Sequence, residues 1–175
     1  NFKNTTINFS TDKEKNFTIV LGQNTFGKTT LVRSFLWCLY RINSFNDKML
    51  INSDEVDSMP FETFKEIKVE MDIVHQDATY RIITKEKYYK NNKGVLSVSE
   101  KAKTSVIKTY DDGKTETVPF SQVDDEIENI LRPDLKEYFF FDGESNTIEN
   151  ISSKKNLTAA VTNILGLLRI EALRD

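Results

Sequence analysis

The sequence predicts an α/β fold with an attached antiparallel β subdomain, and three observations support this prediction. An apolar segment at residues 17–21 stops at a glycine and leads through a short loop into a helical pattern. Residues 67–118 then show strand-like alternation with two turn signals, as consecutive antiparallel strands do. A second apolar segment, at residues 138–141, ends in an Asp-Gly pair.

The first elements are predicted to be two strands and one helix. Alternation at residues 6–9 predicts a strand, which a polar turn joins to a second, buried strand at residues 17–21, rich in β-branched residues. From Thr29 onward, apolar residues recur with helical spacing on one face until about Tyr40, so an amphipathic helix is expected there.

The middle of the chain is predicted to be a β meander. Candidate strands lie at residues 67–74, 79–87, 95–98 and 105–110. Residues 91–94 and 111–114 are rich in Asn, Asp and Gly, which tolerate positive φ, so each segment is expected to reverse a hairpin.

The last third of the chain is predicted to contain both helices and a strand. A helix is predicted from residue 121 to about 131, broken by Pro133 before an aromatic strand at residues 138–141. Apolar residues of the tail recur at helical spacing, and they either face a core or begin a longer helix. The predicted units are residues 1–60 (loop and first helix), 61–120 (β-rich subdomain), 121–155 (helix, aromatic strand and acidic turn) and 156–175 (tail helix).

Composition excludes several classes of protein. The 175 residues carry 24 basic and 27 acidic side chains, a net charge of −3, with 38% hydrophobic residues, which indicates a soluble globular chain rather than a disordered one. One Cys and one His can form neither an internal disulfide nor a conventional zinc site. No apolar run approaches the ~20 residues that cross a bilayer, and no signal peptide is visible, so a cytoplasmic location without membrane partners is expected. The first residue is not Met, and the chain is expected to be cut from a longer protein.

The chemistry-bearing motif is at residues 22–29, which read Gly-Gln-Asn-Thr-Phe-Gly-Lys-Thr and satisfy the P-loop pattern between a predicted strand and a predicted helix. The glycines let backbone amides surround phosphate oxygens, and the helix N-terminus adds partial positive charge. By position, Lys28 reaches the β- and γ-phosphates, Thr29 binds Mg²⁺, and Thr30 donates to the α-phosphate. The motif predicts ATP binding with Mg²⁺; the alternative is a chance match in a glycine turn.

A second candidate is Asp142, which follows the predicted aromatic strand. A carboxylate at the C-terminal end of a buried strand can bind the metal of a P-loop directly or through water. Asp142 is therefore predicted as a metal ligand beside Thr29 and, with Lys28, as a catalytic residue. The alternative is an exposed Asp-Gly turn.

These segments resemble the N-terminal part of an ABC-type ATPase head of the SMC-like class. Residues 1–3 (Asn-Phe-Lys) are similar to the end of that family's first strand, and residues 22–31 to its "G-x-N-x-x-G-K-T-T-L". Residues 34–40 resemble the "W-x-L-Y" of its P-loop helix. Residues 139–144 (Phe-Phe-Phe-Asp-Gly-Glu) look like the segment of the DndD-type ATPases of bacterial DNA phosphorothioation, with related sequences in the SMC-like subunit of Lamassu antiphage systems.

The resemblance implies an α/β P-loop NTPase fold, specifically the N-lobe of an ABC-ATPase head with an antiparallel β subdomain. The acidic turn would correspond to the Q-loop, with Asp142 completing the metal shell where Gln is common elsewhere. The implied nucleotide-binding set is Lys3, Gly22, Gln23, Asn24, Thr25, Gly27, Lys28, Thr29 and Thr30. Two departures from the pattern are the Thr25-Phe26 pair and Arg41, which stands where Gly commonly follows Tyr40.

The resemblance also implies partners. The family's signature motif and its second acidic strand do not occur in these residues; in the family they belong to a C-terminal lobe beyond a coiled coil, toward which residues 156–175 would lead. Hydrolysis would then need that lobe and a second head, in a homodimer that sandwiches ATP. DNA and other subunits of a bacterial defence or DNA-modification complex are the implied partners.

Two other functions stay open from the sequence. A small-molecule or nucleoside kinase uses the same loop, although the arginines show no lid-like clustering, and an interaction module could bind nucleotide structurally. Lysines interleaved with tyrosines at residues 85–93 could contact nucleic acid, but a solvated hairpin is the preferred interpretation. His75, Trp37 and Cys38 are expected to serve packing only.

Overall fold

Within residues 49–140, a four-stranded antiparallel sheet in the order β1-β2-β3-β4 forms the centre of the fold. The computed structural model describes residues 3–12, 14–15, 17–23, 27–43 and 49–140. The strands are β1 (Thr63–His75), β2 (Ala78–Lys90), β3 (Leu96–Tyr110) and β4 (Thr115–Thr117). Consecutive strands pair with each other, so the predicted meander is confirmed.

Both predicted hairpin turns are confirmed. Gly94 (φ +77°) and Gly113 (φ +84°) occupy the left-handed region that favours glycine, at the two reversals. A third turn, at Gln76 (φ +53°) between β1 and β2, was not predicted because it contains no glycine. The two predicted segments at residues 95–98 and 105–110 are one continuous strand, β3, with an irregular register opposite Lys85 and Lys87.

Alternation along the strands produces one apolar and one charged face. Tyr80, Ile82 and Val106 are buried on the inner face. The outer face bears ion pairs such as Glu66 with Lys85 (2.9 Å) and Asp72 with Arg81 (2.8 Å). A period of two therefore directs one set of residues to the core and the other to solvent.

Four α-helices lie in the described part of the chain. They are α1 (Lys28–Tyr40), α2 (Ser53–Ser58), α3 (Val123–Ile130) and α4 (Lys136–Phe139). Cys38 and Leu39 of α1 and Val123 and Ile127 of α3 join the buried face of the sheet in one core. None of the helices in these residues is long and apolar enough to cross a bilayer.

The predicted strands at residues 6–9 and 17–21 do not form. Among the described residues neither segment pairs in a sheet, and Phe17 and Leu21 are 81% and 89% exposed. The Ser10 amide, just after the first segment, donates to Thr18 Oγ1 in the second (2.9 Å). Apolar alternation reports a preference for burial, but a strand also needs a neighbouring strand to accept its backbone hydrogen bonds. The described residues contain no partner strand for residues 6–9 or 17–21.

The predicted aromatic strand at residues 138–141 is also wrong for the residues that the structure describes. Pro133 begins a 3₁₀ helix, Pro133–Leu135, that continues into α4 up to Phe139. A proline lacking its amide hydrogen is well suited to a first helical position, where that hydrogen would have no partner. Pro133 therefore begins a helix here rather than only ending one. Residues 141–175, which include Asp142 and the predicted tail helix, lie outside the described residues.

Candidate phosphate-binding site

The N-terminal end of α1 has the features of an anion site. Gly27 precedes the helix with φ +94°, and its carbonyl accepts the first helical hydrogen bond from the Leu31 amide (2.9 Å). The amides of Lys28, Thr29 and Thr30 therefore have no acceptor within the helix. Gly27 has no side chain to cap them, and the first turn contains no acidic residue. These amides and the helix dipole favour a negatively charged ligand.

The Lys28 side chain folds back over the start of the loop. Its exposed ammonium donates hydrogen bonds to the carbonyl oxygens of Gly22 (2.5 Å) and Gln23 (2.9 Å). The structure thus places the Lys28 ammonium against Gly22 and Gln23. Because both of these acceptors are exposed carbonyls, the ammonium can exchange them for phosphate oxygens at small cost.

The threonines of the first turn fit a phosphate and metal site by position. Thr29 and Thr30 are half-buried in the first turn of α1. Within the described residues no group of three or more His, Cys, Asp or Glu side chains could hold a metal ion. A metal here would depend on Thr29, on phosphate oxygens and on Asp142, which lies outside the described residues, as do Asn24 and Thr25. The donor set of hydroxyl, carboxylate and phosphate oxygens is the kind that Mg²⁺ prefers.

Lys3 is paired with α2 in this structure. Its ammonium lies 3.3 Å from Glu55 Oε1 and 4.0 Å from Asp54 Oδ2. Lys65 lies 2.6 Å from the other oxygen of Glu55, and the hydrogen bonds from Lys65 and Lys3 lower the pKa of this carboxyl group. A place for Lys3 beside the phosphates stays a prediction.

The other end of α1 contains contacts that the sequence did not predict. Arg41 closes the helix in the left-handed conformation (φ +58°), which explains why glycine suits this position. Its guanidinium donates to Thr104 Oγ1 (3.1 Å) and to Asp124 Oδ1 (2.5 Å). Tyr40 donates to the Leu131 carbonyl (2.8 Å), and burial raises the pKa of its phenol to about 12. In the sequence, only the arginine at a position where glycine is common pointed to special contacts of Arg41.

The lysines of the β2–β3 hairpin are mostly occupied by the protein itself. Lys90 is buried, and its ammonium donates to the carbonyls of Val56 (2.8 Å) and Met59 (2.9 Å). Lys85 pairs with Glu66 and Lys87 with Glu100. The expectation of a solvated hairpin is therefore wrong for Lys90, which is buried, whereas Lys85 and Lys87 form exposed ion pairs within the sheet.

Comparison with known proteins gives one family match. A model described as an AAA domain matches residues 1–175. One solved chain, from a study of ATP-driven dimerization and DNA-stimulated activation of SMC ATPases, is 15% identical and has a TM-score of 0.34, with 86% of this chain and 85% of that chain covered. A TM-score of this size is too low to carry an argument. No curated protein matches the chain.

The family match and the architecture together confirm the predicted fold class, an α/β P-loop NTPase with an antiparallel β subdomain. The family also supports ATPase activity in general. Because the match extends over every residue, the chain belongs to the AAA domain family.

Proposed function

We propose that this chain is the ATP-binding half of an SMC-like ATPase. The observation that carries the proposal is the uncapped, acid-free N-terminus of α1, set beside an exposed Lys28 ammonium that already contacts the loop carbonyls. A triphosphate supplies the oxygens that these donors lack. Membership of the AAA domain family supports the same conclusion.

Each residue of the site has a defined task in this proposal. The backbone amides at the start of α1 bind phosphate oxygens, and Lys28 neutralises charge on the β- and γ-phosphates. The Thr29 hydroxyl and the Asp142 carboxylate hold Mg²⁺, while Thr30 donates to the α-phosphate. Mg²⁺, when bound there, would neutralise negative charge on the phosphate oxygens. Lys3, Gln23, Asn24 and Thr25 complete the nucleotide-binding set.

The wider assignment rests on the resemblance in the P-loop, the helix after it and residues 139–144. We propose that two such heads close around ATP as a homodimer, each completed by a C-terminal lobe of the same protein beyond a coiled coil to which residues 156–175 lead. The assembled protein would act on DNA in the cytoplasm, with other subunits of a bacterial defence or DNA-modification system of the DndD or Lamassu type. The four-unit division of the chain belongs to this proposal.

The first test is nucleotide binding by the Lys28→Ala variant of the full-length protein. Loss of two charge-assisted hydrogen bonds to phosphate weakens ATP binding by about 3 kcal/mol, or about a hundredfold in Kd. The matched control is Lys101→Ala, which removes an exposed lysine of β3 far from the loop in sequence. Isothermal titration with Mg-ATP gives both values. Equal affinity of wild type and Lys28→Ala would reject the site.

The second test distinguishes a closing ATPase head from a kinase. Sedimentation velocity of the full-length protein is expected to show dimers with ATP and monomers without it. DNA is expected to raise the hydrolysis rate. Stoichiometric transfer of the γ-phosphate to a small metabolite, without dimerisation, would instead identify a kinase.

A further inference from the structure

Exposed aromatic rings lie at the end of the sheet that carries the β2–β3 turn. Phe61, just before β1, is 61% exposed, and Phe64 in β1 is 57% exposed. The Phe64 ring lies against Tyr89 of β2, with 4.8 Å between the ring centroids, and a β-carbon at Gly94 of the turn would lie 3.4 Å from the Phe61 ring. The rings of Phe61, Phe64 and Tyr89 form what we call the aromatic end of the sheet. A group of exposed rings marks a surface that binds another molecule.

The rest of the outer face is charged and satisfied by pairing. Further along β1 and β2, Glu66 lies 2.9 Å from Lys85, and Asp72 lies 2.8 Å from Arg81. These side chains interact with each other and with water. Phe64 lies on the same face but is apolar and more than half exposed, so packing within the protein accounts for only part of its surface.

Positive charge is concentrated around the aromatic end. Residues 61–68 and 85–103 contain eight lysines, one of them the buried Lys90, and four glutamates, whereas the whole chain has a net charge of −3. Lys93 of the turn and Lys101 of β3 are exposed and form no ion pair within the described residues. A local excess of lysine on an otherwise acidic chain complements a polyanion.

Lys87 connects the charged and the aromatic parts of this surface. Its ammonium lies 4.9 Å from the centroid of the Phe64 ring and 3.3 Å from Glu100 Oε1. The ion pair with Glu100 is exposed, so it contributes little to stability and can be exchanged for a phosphate at small cost. A nucleotide whose base stacks on Phe64 would therefore have a lysine beside it for its phosphate.

We propose that the aromatic end of the sheet is a binding site for single-stranded DNA. Exposed rings stack on unpaired bases of any sequence while lysines contact the phosphates, and sites for single-stranded nucleic acid combine these two interactions. A double helix offers the charge but keeps its base faces stacked inside, so it cannot use the rings. The inference rests on the proposed function for DNA as the polymer, but the site uses none of the residues of the phosphate loop.

The test is fluorescence anisotropy of a labelled oligo(dT) strand of about 20 nucleotides, titrated with the full-length protein without ATP. Phe64→Ala is expected to raise Kd about tenfold, because one stacked base is lost, and Phe61→Ala is expected to raise it by a similar factor. Phe64→Tyr keeps the ring and is expected to bind within about threefold of wild type, whereas Phe64→Leu keeps apolar bulk without a ring and is expected to bind as weakly as Phe64→Ala. Equal urea midpoints of these variants check that the fold is intact.

Three further measurements separate stacking from charge. Lys93→Ala is expected to lower the slope of log affinity against log salt by about 0.7, because one phosphate contact of a single strand is lost, whereas Phe64→Ala leaves the slope unchanged. Phe120→Ala removes a 78% exposed ring between β4 and α3, and this matched control is expected to bind like wild type. With a duplex of the same length, Phe64→Ala is expected to change Kd less than about twofold.

The outcomes separate this inference from the proposed function. Equal oligo(dT) affinity of wild type, Phe61→Ala and Phe64→Ala would overturn the inference and leave the rings as a surface for a protein partner. Wild-type affinity in Phe64→Leu, or an equal loss in Phe120→Ala, would overturn it as well. Lys28→Ala is expected to lose ATP binding and to keep oligo(dT) binding. A wild-type protein that binds the strand through Phe64 but does not bind ATP would refute the proposed function alone.

Discussion

The buried Thr84 hydroxyl offers a sharp test of how the P-loop helix is held on the sheet. Thr84 is fully buried, donates to the Cys38 carbonyl and accepts from Thr104, each at 2.7 Å. Thr84→Val replaces the hydroxyl with a methyl group of similar size, so the change creates almost no cavity. The perturbation is therefore confined to hydrogen bonding.

The cost follows from the groups that the substitution leaves behind. The Cys38 carbonyl loses the donor from Thr84, and the Thr104 hydroxyl loses its buried acceptor. Each orphaned buried group costs about 1–3 kcal/mol, so the two groups together predict a loss of about 2–6 kcal/mol in the free energy of unfolding. Against a typical domain stability of about 5–15 kcal/mol, that is a large fraction.

Urea unfolding followed by the fluorescence of the buried Trp37 measures this loss. For an m-value of about 2 kcal/mol/M, the midpoint is expected to fall by about 1–3 M. Thr117→Val on β4 is the matched control, because its side chain is exposed. A Thr84→Val midpoint within about 0.3 M of wild type, or an equal fall in Thr117→Val, would refute the stabilising role assigned to the two hydrogen bonds of Thr84.

Two more predictions concern buried groups. Lys90→Met keeps the apolar stem but removes the donor to the carbonyls of Val56 and Met59 at the end of α2. Hydrogen exchange in α2 is therefore expected to accelerate, at a local cost of about 1–3 kcal/mol, whereas the exposed Lys93→Met is expected to leave it unchanged. Equal exchange in both variants would contradict the role of Lys90 in capping α2. Burial raises the pKa of the Cys38 thiol to about 12, so the thiol stays protonated at pH 8. Iodoacetamide is therefore expected to label it only after denaturation. Rapid labelling of the native chain would contradict the burial of this thiol.

Local chemistry made some elements predictable. The turns at Gly94 and Gly113 need positive φ, and the sequence places glycine among Asn and Asp at both. The α1 helix follows from apolar residues at helical spacing, and Gly27 and Lys28 were assigned from the motif. In each case the determining interaction lies within a few residues of chain.

Non-local interactions were not predictable in the same way. Residues 17–21 have the pattern of a buried strand, but the described residues contain no partner strand for them. Residues 138–139 are aromatic like a strand, but they continue a helical run that begins at Pro133. The hydrophobic pattern indicates which residues favour burial, but it does not indicate which part of the chain will pack against them.

The sequence by itself determined the α1 helix, the meander and its glycine turns, because the spacing of apolar residues and the backbone geometry at glycine are set by neighbouring residues. Only the tertiary structure decided that Arg41 reaches Thr104 and Asp124, which lie 63 and 83 positions further along the chain. It also decided that Lys90 caps a helix instead of facing solvent. Such contacts arise when the sheet and α3 fold against α1, and no spacing within a single segment encodes them.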